Sequence, residues 1–179
     1  MGMATVLRYP GGKTRMLPKI QPFINAMMDG ESAYAEPYMG GGSVGLYVAG
    51  RFPDCHLHIN DLDPLVAAFW RVVVSGGSEM ESLIRSLDVK PTVALWDNVK
   101  ASRPENDAGK AFKLVFLNRT SFNGMVHNSS PIGGRNQTGK PGSDRQWKID
   151  CQYKSDRLGG LIRSYHDLLK DRTTVTEQD

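Results

Sequence analysis

Apolar side chains near the amino terminus recur with the period of an α-helix. Between Thr14 and Met28 they are Met16, Leu17, Ile20, Phe23, Ile24 and Met27. Counted from Met16 they recur at i+4, i+7, i+8 and i+11, the helical period, and Pro18 suits a first helical turn. Pro22, however, has no amide hydrogen for an intrahelical bond. The pattern therefore predicts a helix that either kinks at Pro22 or starts late.

Two short runs, each followed by a turn and an apolar helical segment, predict the start of an α/β fold. The predicted strands are Ala33–Glu36 and His56–Asn60. Glycines between positions 40 and 45 form a loop that opens a helix over Val44–Ala49, and Pro64–Val74 forms the next helix. Strands that alternate with helices favour a parallel sheet.

Three further helices are predicted before the pattern breaks down. Ser78 and Glu81 have the spacing of a capping box, which places a helix over Met80–Leu87 with Ser78 as its cap. Apolar periodicity predicts two more helices, over Val93–Ala101 and Ala108–Leu117.

Periodicity disappears between Asn118 and Asp150, where glycines and prolines are frequent. This composition predicts a loop-rich insertion, and loops of such length are usually functional or disordered. Ser155 is then a candidate cap for an amphipathic helix, and Thr173–Thr176 is predicted as the start of a strand.

Composition limits the class of protein. The 179 residues are 40% hydrophobic and 23% charged, which fits one globular domain. No apolar run is long enough to span a membrane and no signal segment is evident, so a soluble, cytoplasmic protein is expected. Cys55 and Cys151 stand alone and are expected as buried, reduced thiols.

Charge is unevenly distributed along the chain. Residues 1–117 have equal numbers of basic and acidic side chains, whereas residues 118–172 carry ten basic and five acidic ones. A basic segment next to a neutral one favours a surface that faces a polyanion, although an ordinary solvated face gives the same pattern.

The glycines at 40, 42 and 45 match G-x-G-x-x-G between a predicted strand and helix, as in nucleotide-binding loops. Asp61 ends the next strand, where an acid can accept hydrogen bonds from a ribose. A tight turn with a capping Asp is the structural alternative.

Glu36, just before the glycines, indicates the kind of nucleoside. A carboxylate there would repel the pyrophosphate of NAD but attract the cationic end of S-adenosylmethionine. The alternative for Glu36 is a strand-end acid bonded to backbone amides.

Four segments resemble the Dam-type DNA adenine-N6 methyltransferases, in order and from residue 7 to about residue 170. They are Leu7–Lys13, Glu36–Val44, Asn60–Asp63 and Phe116–Gly124. The resemblance implies a Rossmann-like, S-adenosylmethionine-dependent methyltransferase fold, with a parallel sheet, helices on both faces and a target-recognition insertion. It also implies methyl transfer to adenine N6 in double-stranded DNA.

The resemblance assigns a set of cofactor-binding residues. These are Tyr9, Lys13, Glu36, Pro37, Gly40, Gly42 and Asp61. In this assignment Tyr9 and Lys13 touch the cofactor, Glu36 faces its methionine end and Asp61 holds the ribose. As alternatives, Tyr9 is a core aromatic and Lys13 is an ordinary first-turn residue.

The resemblance also assigns residues to DNA binding. These are Arg119, Asn123, His127, Arg135 and Lys140. His127 stands where well-known members have an Arg, so the usual GATC target is in doubt. Trp147 is either a stacking platform for a base or a small-core anchor. The four histidines form no metal-like cluster in the sequence, and no metal is expected.

The catalytic motif of this family, Asp-Pro-Pro-Tyr, does not occur in the 179 residues, so no catalytic residue is assigned.

We expect residues 1–92 to form the first part of the cofactor-binding core, 93–154 the target-recognition region and 155–179 a return helix with a truncated core strand. This predicts a fold incomplete at its carboxyl end and a chain inactive alone. Its missing half would come from the parent chain or a second polypeptide. The non-enzyme alternative is a catalytically dead module that binds cofactor or DNA.

Overall fold

The computed structural model describes residues 5–8, 12–137 and 147–179. The helices are α1 (Leu17–Met27), α2 (Ser43–Arg51), α3 (Pro64–Ser75), α4 (Gly77–Ser86), α5 (Val93–Ala101), α6 (Asp107–Thr120) and α7 (Ser155–Leu169). The strands are β1 (Ala33–Glu36), β2 (His56–Asn60) and β3 (Thr173–Thr176). One-turn 3₁₀ helices cover Lys13–Arg15 and Phe122–Gly124. No helix in these ranges is long and apolar enough to cross a membrane.

The strands form one parallel sheet in the order β1-β2-β3. Ala35 lies opposite His58, which in turn lies opposite Thr174. The predicted strands and their parallel arrangement are confirmed. Since the carboxyl ends of parallel strands share one edge, residues 36–43 and 60–63 come together there.

The two faces of the sheet differ. Leu57 and Ile59 are buried on the face that packs against the helices. Ala35, His58 and Thr174, on the other face, are exposed. Helices of the described residues therefore cover one face, whereas the predicted fold class places them on both. The strand order explains this, because successive right-handed crossovers in one direction place their helices on the same side.

The main core lies between α3, α6 and α7. Trp70 on α3 packs its indole against Phe69 and stacks on Tyr165 of α7, with ring centroids 5.9 Å apart in the second pair. Phe116 of α6 is fully buried and contacts Tyr153 edge to face. The helices α5 and α6, from the predicted recognition region, therefore share the core of the cofactor-binding part.

Several predicted helix boundaries are wrong. α1 begins at Leu17 and continues through Pro22, so the late start is excluded. α4 begins after Gly76, whose φ of 67° favours glycine, and Ser78 lies inside the helix without capping it. Ser155 is the first helical residue rather than the cap. α6 extends to Thr120, so Asn118 and Arg119 are helical rather than part of a loop.

Candidate functional site

The glycine loop at the carboxyl end of β1 makes a tight turn. The amide of Gly42 donates to the carbonyl of Met39 at 2.8 Å, and Gly40 and Gly42 have φ values of 47° and 72°. A Cβ on Gly42 would lie 2.5 Å from the Trp70 ring. Both the left-handed backbone and this close approach therefore require glycine at position 42.

Two side chains fix the loop against β2 and α3. Asp61 is 8% exposed, and its two oxygens accept from the amides of Gly40 at 2.7 Å and Asp63 at 3.0 Å. The indole of Trp70 donates to the carbonyl of Gly40 at 3.0 Å. This arrangement agrees with the structural alternative for Asp61, a tight turn held by a carboxylate, and the acid holds the loop in place.

A cavity of about 570 Å³ opens on the other side of the loop. Its wall includes Lys13, Met16, Glu36, Met39, Gly40 and Gly42. The volume lies within the roughly 300–1,000 Å³ of small-molecule sites. We call it the glycine cavity. Its wall combines apolar side chains, the glycine backbone, one cation and one acid, which suits an elongated ligand with both apolar and charged parts.

Glu36 is the acid in this wall, and it is partly buried. Its carboxylate accepts a hydrogen bond from the amide of Gly45, and the hydroxyl of Tyr34 donates to it at 3.4 Å. Burial raises the pKa of Glu36 to about 7, and these two hydrogen bonds only partly oppose that rise. At neutral pH the carboxyl is therefore poised between its neutral and charged forms.

Burial and the neighbouring Glu36 hold the pKa of Tyr34 above its ordinary value, so Tyr34 stays a hydrogen-bond donor. A Cβ on Gly45 would lie 2.7 Å from a carboxylate oxygen of Glu36. The absence of a side chain at Gly45 therefore allows the acid to approach the first turn of α2.

A smaller cavity of about 290 Å³ adjoins the first at the edge of the sheet. Glu36 and Tyr38 line both cavities, and Tyr38 is 82% exposed. Pro37 lines only the smaller one, where its carbonyl accepts from the amide group of Asn60 at 3.1 Å. An exposed aromatic ring between two cavities can stack on a flat ligand.

The structure brings together four of the residues predicted to bind cofactor. Lys13, Glu36, Gly40 and Gly42 line the glycine cavity. Pro37 lies in the adjoining cavity and Asp61 behind the loop. Tyr9 lies outside the described residues.

The residues predicted to bind DNA do not form one cluster. Asn123 is exposed in the 3₁₀ turn after α6, with a left-handed φ of 54°. His127 contacts the carboxylate of Asp63, the cap of α3, at 3.0 Å. Arg135 forms a two-bond pair with Asp97 of α5, at 3.0 and 2.9 Å.

Arg119 is largely buried and donates to the backbone carbonyls of Val6, at 2.6 Å, and Thr5. Lys140 lies outside the described residues. Trp147 is 59% exposed, so it is not a core anchor. The four described DNA candidates thus lie along the segments that follow α6 or at its end.

Sequence reasoning missed two residues that organise the site. Asn118 is 2% exposed and bonds the amide and carbonyl of Arg8, at 2.7 and 3.1 Å, and the carbonyl of Gly124, at 2.8 Å. It thereby joins the amino-terminal segment to the turn after α6. Trp70 supports the glycine loop from α3. In the sequence, each of these residues is a side chain with a hydrogen-bonding group within an otherwise apolar helical stripe. That pattern could have indicated their roles.

Other candidate chemistry is sparse. The rings of His56 and His58 pack at a tilt of 49° with centroids 4.6 Å apart, and His56 contacts the hydroxyl of Thr174 at 3.0 Å. Cys55 is buried and Cys151 is partly exposed, both as free thiols. Within the described ranges, no three His, Cys, Asp or Glu side chains converge on a point suited to a metal ion.

Comparison with known proteins gives a family. A family model described as D12 class N6 adenine-specific DNA methyltransferase matches residues 9–139. Type II methyltransferase M.CviBI of Paramecium bursaria Chlorella virus NC1A is 23% identical over 177 residues, which cover 98% of this chain and 61% of that protein. Type II methyltransferase M.MjaIII of Methanocaldococcus jannaschii is 24% identical over 139 residues, which cover 70% and 48%. The chain spans about half to three fifths of these relatives.

Proposed function

We propose that this chain, which belongs to the D12 class of N6 adenine-specific DNA methyltransferases, forms the cofactor-binding and target-recognition part of such an enzyme. Members of this family use S-adenosylmethionine, which supplies an electrophilic methyl group when bound. The substrate in this proposal is adenine in double-stranded DNA, and the product is N6-methyladenine.

One observation carries the cofactor proposal. A carboxylate, Glu36, lies in the wall of a cavity formed by a glycine loop at the carboxyl end of a parallel strand. Its partly buried charge would repel a pyrophosphate but stabilise the sulfonium and amino groups of S-adenosylmethionine. The donor set thus fits a cationic nucleoside better than NAD.

Each part of the site has a separate task in this proposal. Gly40 and Gly42 let the backbone approach the ligand closely, and Asp61 holds the loop in place through its two backbone hydrogen bonds. Tyr38 offers a stacking surface at the junction of the two cavities. Lys13, which lines the glycine cavity, is proposed to meet the carboxylate of the cofactor.

For DNA, we propose that the segment after α6 faces the duplex. Asn123 is exposed in a left-handed turn, which presents its amide for bidentate contact with an adenine edge. His127, Arg135 and Lys140 are further proposed DNA contacts, and Trp147 is a proposed stacking surface. Arg119 acts from behind this segment, through its bonds to Thr5 and Val6.

Calorimetric titration of the 179-residue chain with S-adenosylmethionine and with NAD tests the cofactor proposal. We expect binding of the first and none of the second. Glu36→Gln should weaken binding by at least about tenfold, because a buried carboxylate that faces a cation is lost. Glu31→Gln, an exposed acid outside the cavity, is the matched control. Binding of NAD but not of S-adenosylmethionine would contradict the proposal.

The sequence contains no Asp-Pro-Pro-Tyr, which favours a second candidate for the chain alone: a module that binds without catalysis. Incubation of the purified chain with duplex DNA and methyl-labelled S-adenosylmethionine distinguishes the two. We expect no transfer to adenine by this chain. Transfer would refute the binding-only candidate and support an enzyme that acts without that motif.

A further inference from the structure

A third cavity, of about 330 Å³, lies between the amino-terminal segment, the end of α6 and the start of α7. Its lining includes Thr5, Arg119, Cys151, Lys154, Arg157 and Leu158. Three of these side chains are cationic and none is acidic. We call this cavity the basic pocket.

Arg119 is the most buried of the three cations that line the basic pocket. Its Nε and one terminal nitrogen donate to the backbone carbonyls of Val6 and Thr5, which hold the guanidinium in one position. Burial, with the nearby charges of Arg8 and Arg157, lowers the pKa of Arg119 to about 10. At neutral pH the group is still charged, and its second terminal nitrogen has no protein partner in the described residues.

The other cations around the pocket are not neutralised. Lys154 and Arg157 are exposed and form no ion pair among the described residues. The charge of Arg8 acts on both Arg119 and Cys151. One terminal nitrogen of Arg8 is buried and has no hydrogen-bond partner among the residues that the structure describes.

A buried donor without an acceptor costs free energy, and an anionic ligand would supply the acceptor. Two acids, Asp150 and Asp156, are close in sequence, but neither pairs with these cations. Among the described residues, no acid forms an ion pair with these cations, which favours an anionic ligand.

The backbone at the start of α7 also adds positive charge near the basic pocket. α7 is 15 residues long, begins at Ser155 and has no side-chain cap. Its first amides therefore add partial positive charge next to Lys154 and Arg157. α7 leads directly into β3, so it runs against the strands and starts towards the carboxyl edge of the sheet, where the glycine loop lies.

From these observations we propose that the basic pocket binds a phosphate group of the DNA backbone. The inference rests on the proposed function, since the duplex is the substrate in that proposal. Guanidinium and ammonium groups with helix amides are the groups that contact phosphates in protein–DNA interfaces, and such contacts position the duplex without reading its sequence. The pocket is distinct from the Asn123 turn, which is the proposed base-reading element.

The double variant Lys154→Gln/Arg157→Gln tests the pocket, since both side chains are exposed and their loss spares the core. Affinity for a fluorescent duplex is measured by anisotropy in the full chain at several salt concentrations. We expect the affinity to fall about tenfold for every duplex sequence, and the salt slope to fall by about one to two. Lys90→Gln/Arg103→Gln removes the same charges from exposed sites that do not line the pocket and should have little effect.

Calorimetry with S-adenosylmethionine on the same preparations separates this inference from the proposed function. Unchanged affinity and salt slope in the pocket variant would overturn the inference, whether or not the cofactor binds. Cofactor binding by a wild-type chain that does not bind the duplex would also overturn it and leave the cofactor proposal intact. If inorganic phosphate raised the melting temperature of wild type but not of the pocket variant, while DNA affinity did not differ, the pocket would bind a free anion and the DNA inference would be wrong.

Discussion

In the glycine cavity and in the basic pocket alike, burial drives a charged side chain towards its neutral form. For Glu36 in the glycine cavity the pKa rises to about 7, and for Arg119 in the basic pocket it falls to about 10. Only Glu36 changes charge near neutral pH. The same physical effect therefore gives one site an adjustable charge and the other a permanent one.

The partners of the two groups explain a second difference. Glu36 is held by one amide, from Gly45, and by a long hydrogen bond from Tyr34. Arg119 donates to two backbone carbonyls of the amino-terminal segment, more than 110 residues away in sequence. Glu36 is therefore available to a ligand at small structural cost, whereas Arg119 also holds the amino-terminal segment in place.

Substitution of Arg119 should have the largest effect on stability. Arg119→Met removes two charge-assisted hydrogen bonds and leaves the carbonyls of Thr5 and Val6 without these donors, so we expect a loss of about 4 kcal/mol in the free energy of unfolding. Urea denaturation measures this loss. Arg157→Met, in the same pocket but without such bonds, should stay within about 0.5 kcal/mol of wild type. Equal losses of unfolding free energy in both variants would contradict the view that Arg119, unlike Arg157, stabilises the fold.

The next largest effect is the pH dependence of stability caused by Glu36. Because the folded chain holds this proton more tightly than the unfolded chain, its contribution is complete below about pH 4.5 and is lost as the pH rises to about 7. Relative to Glu36→Gln, wild type should lose on the order of 3 kcal/mol across this window. Denaturation curves of both proteins from pH 4 to pH 8 measure it. A constant difference between them would mean that Glu36 has an ordinary pKa.

Ligand binding should show the same titration with the opposite sign. Only the ionised form of Glu36 attracts a cation, so affinity for S-adenosylmethionine should rise about tenfold between pH 5.5 and pH 7. Calorimetry at these pH values measures the rise, and proton uptake or release appears as a dependence on the buffer. In Glu36→Gln the rise should disappear, while Glu31→Gln should retain it. A rise that persists in Glu36→Gln would have to come from another group.

The smallest effect concerns Tyr34. Its hydroxyl hydrogen bond lowers the pKa of Glu36, so Tyr34→Phe should move the midpoint of the pH-dependent binding upwards by about a few tenths of a pH unit. The 3.4 Å distance explains why the shift is small. Tyr47→Phe, which removes a hydroxyl that bonds Asn25 instead, is the control and should leave the midpoint unchanged. A downward shift in Tyr34→Phe would contradict this account of Glu36.

Local pattern predicted the strands and the order of the helices, because alternation and helical period depend on near neighbours. Helix ends were harder. α4 starts earlier than predicted because Gly76 takes a backbone conformation that favours glycine, and α6 continues to Thr120 because Leu117 and Asn118 are buried on its inner face. Burial by distant elements extends a helix beyond the point at which its own sequence appears to stop.

The sequence predicted the parts of the candidate site whose residues are close together in the chain. It did not predict the parts whose residues are far apart in the chain. Glu36, Gly40 and Gly42 are consecutive features of one motif, and the structure places them in one cavity wall. Lys154 and Arg157 join Arg119 only because the start of α7, the end of α6 and the amino-terminal segment meet at one cavity. No spacing rule connects residues 5, 119 and 157, so the basic pocket could not be found before the fold.

The contact between Trp70 and Gly40 also has an optical consequence. Trp70 is 1% exposed and its indole donates to the glycine loop, whereas Trp147 is 59% exposed. An aqueous quencher such as iodide therefore quenches the fluorescence of Trp147 and leaves the fluorescence of Trp70 and of the buried Trp96. Trp96 bonds Ser121, outside the glycine loop. A shift in the wavelength of the unquenched emission on addition of ligand therefore reports a change in the loop around Trp70, and no attached dye is needed.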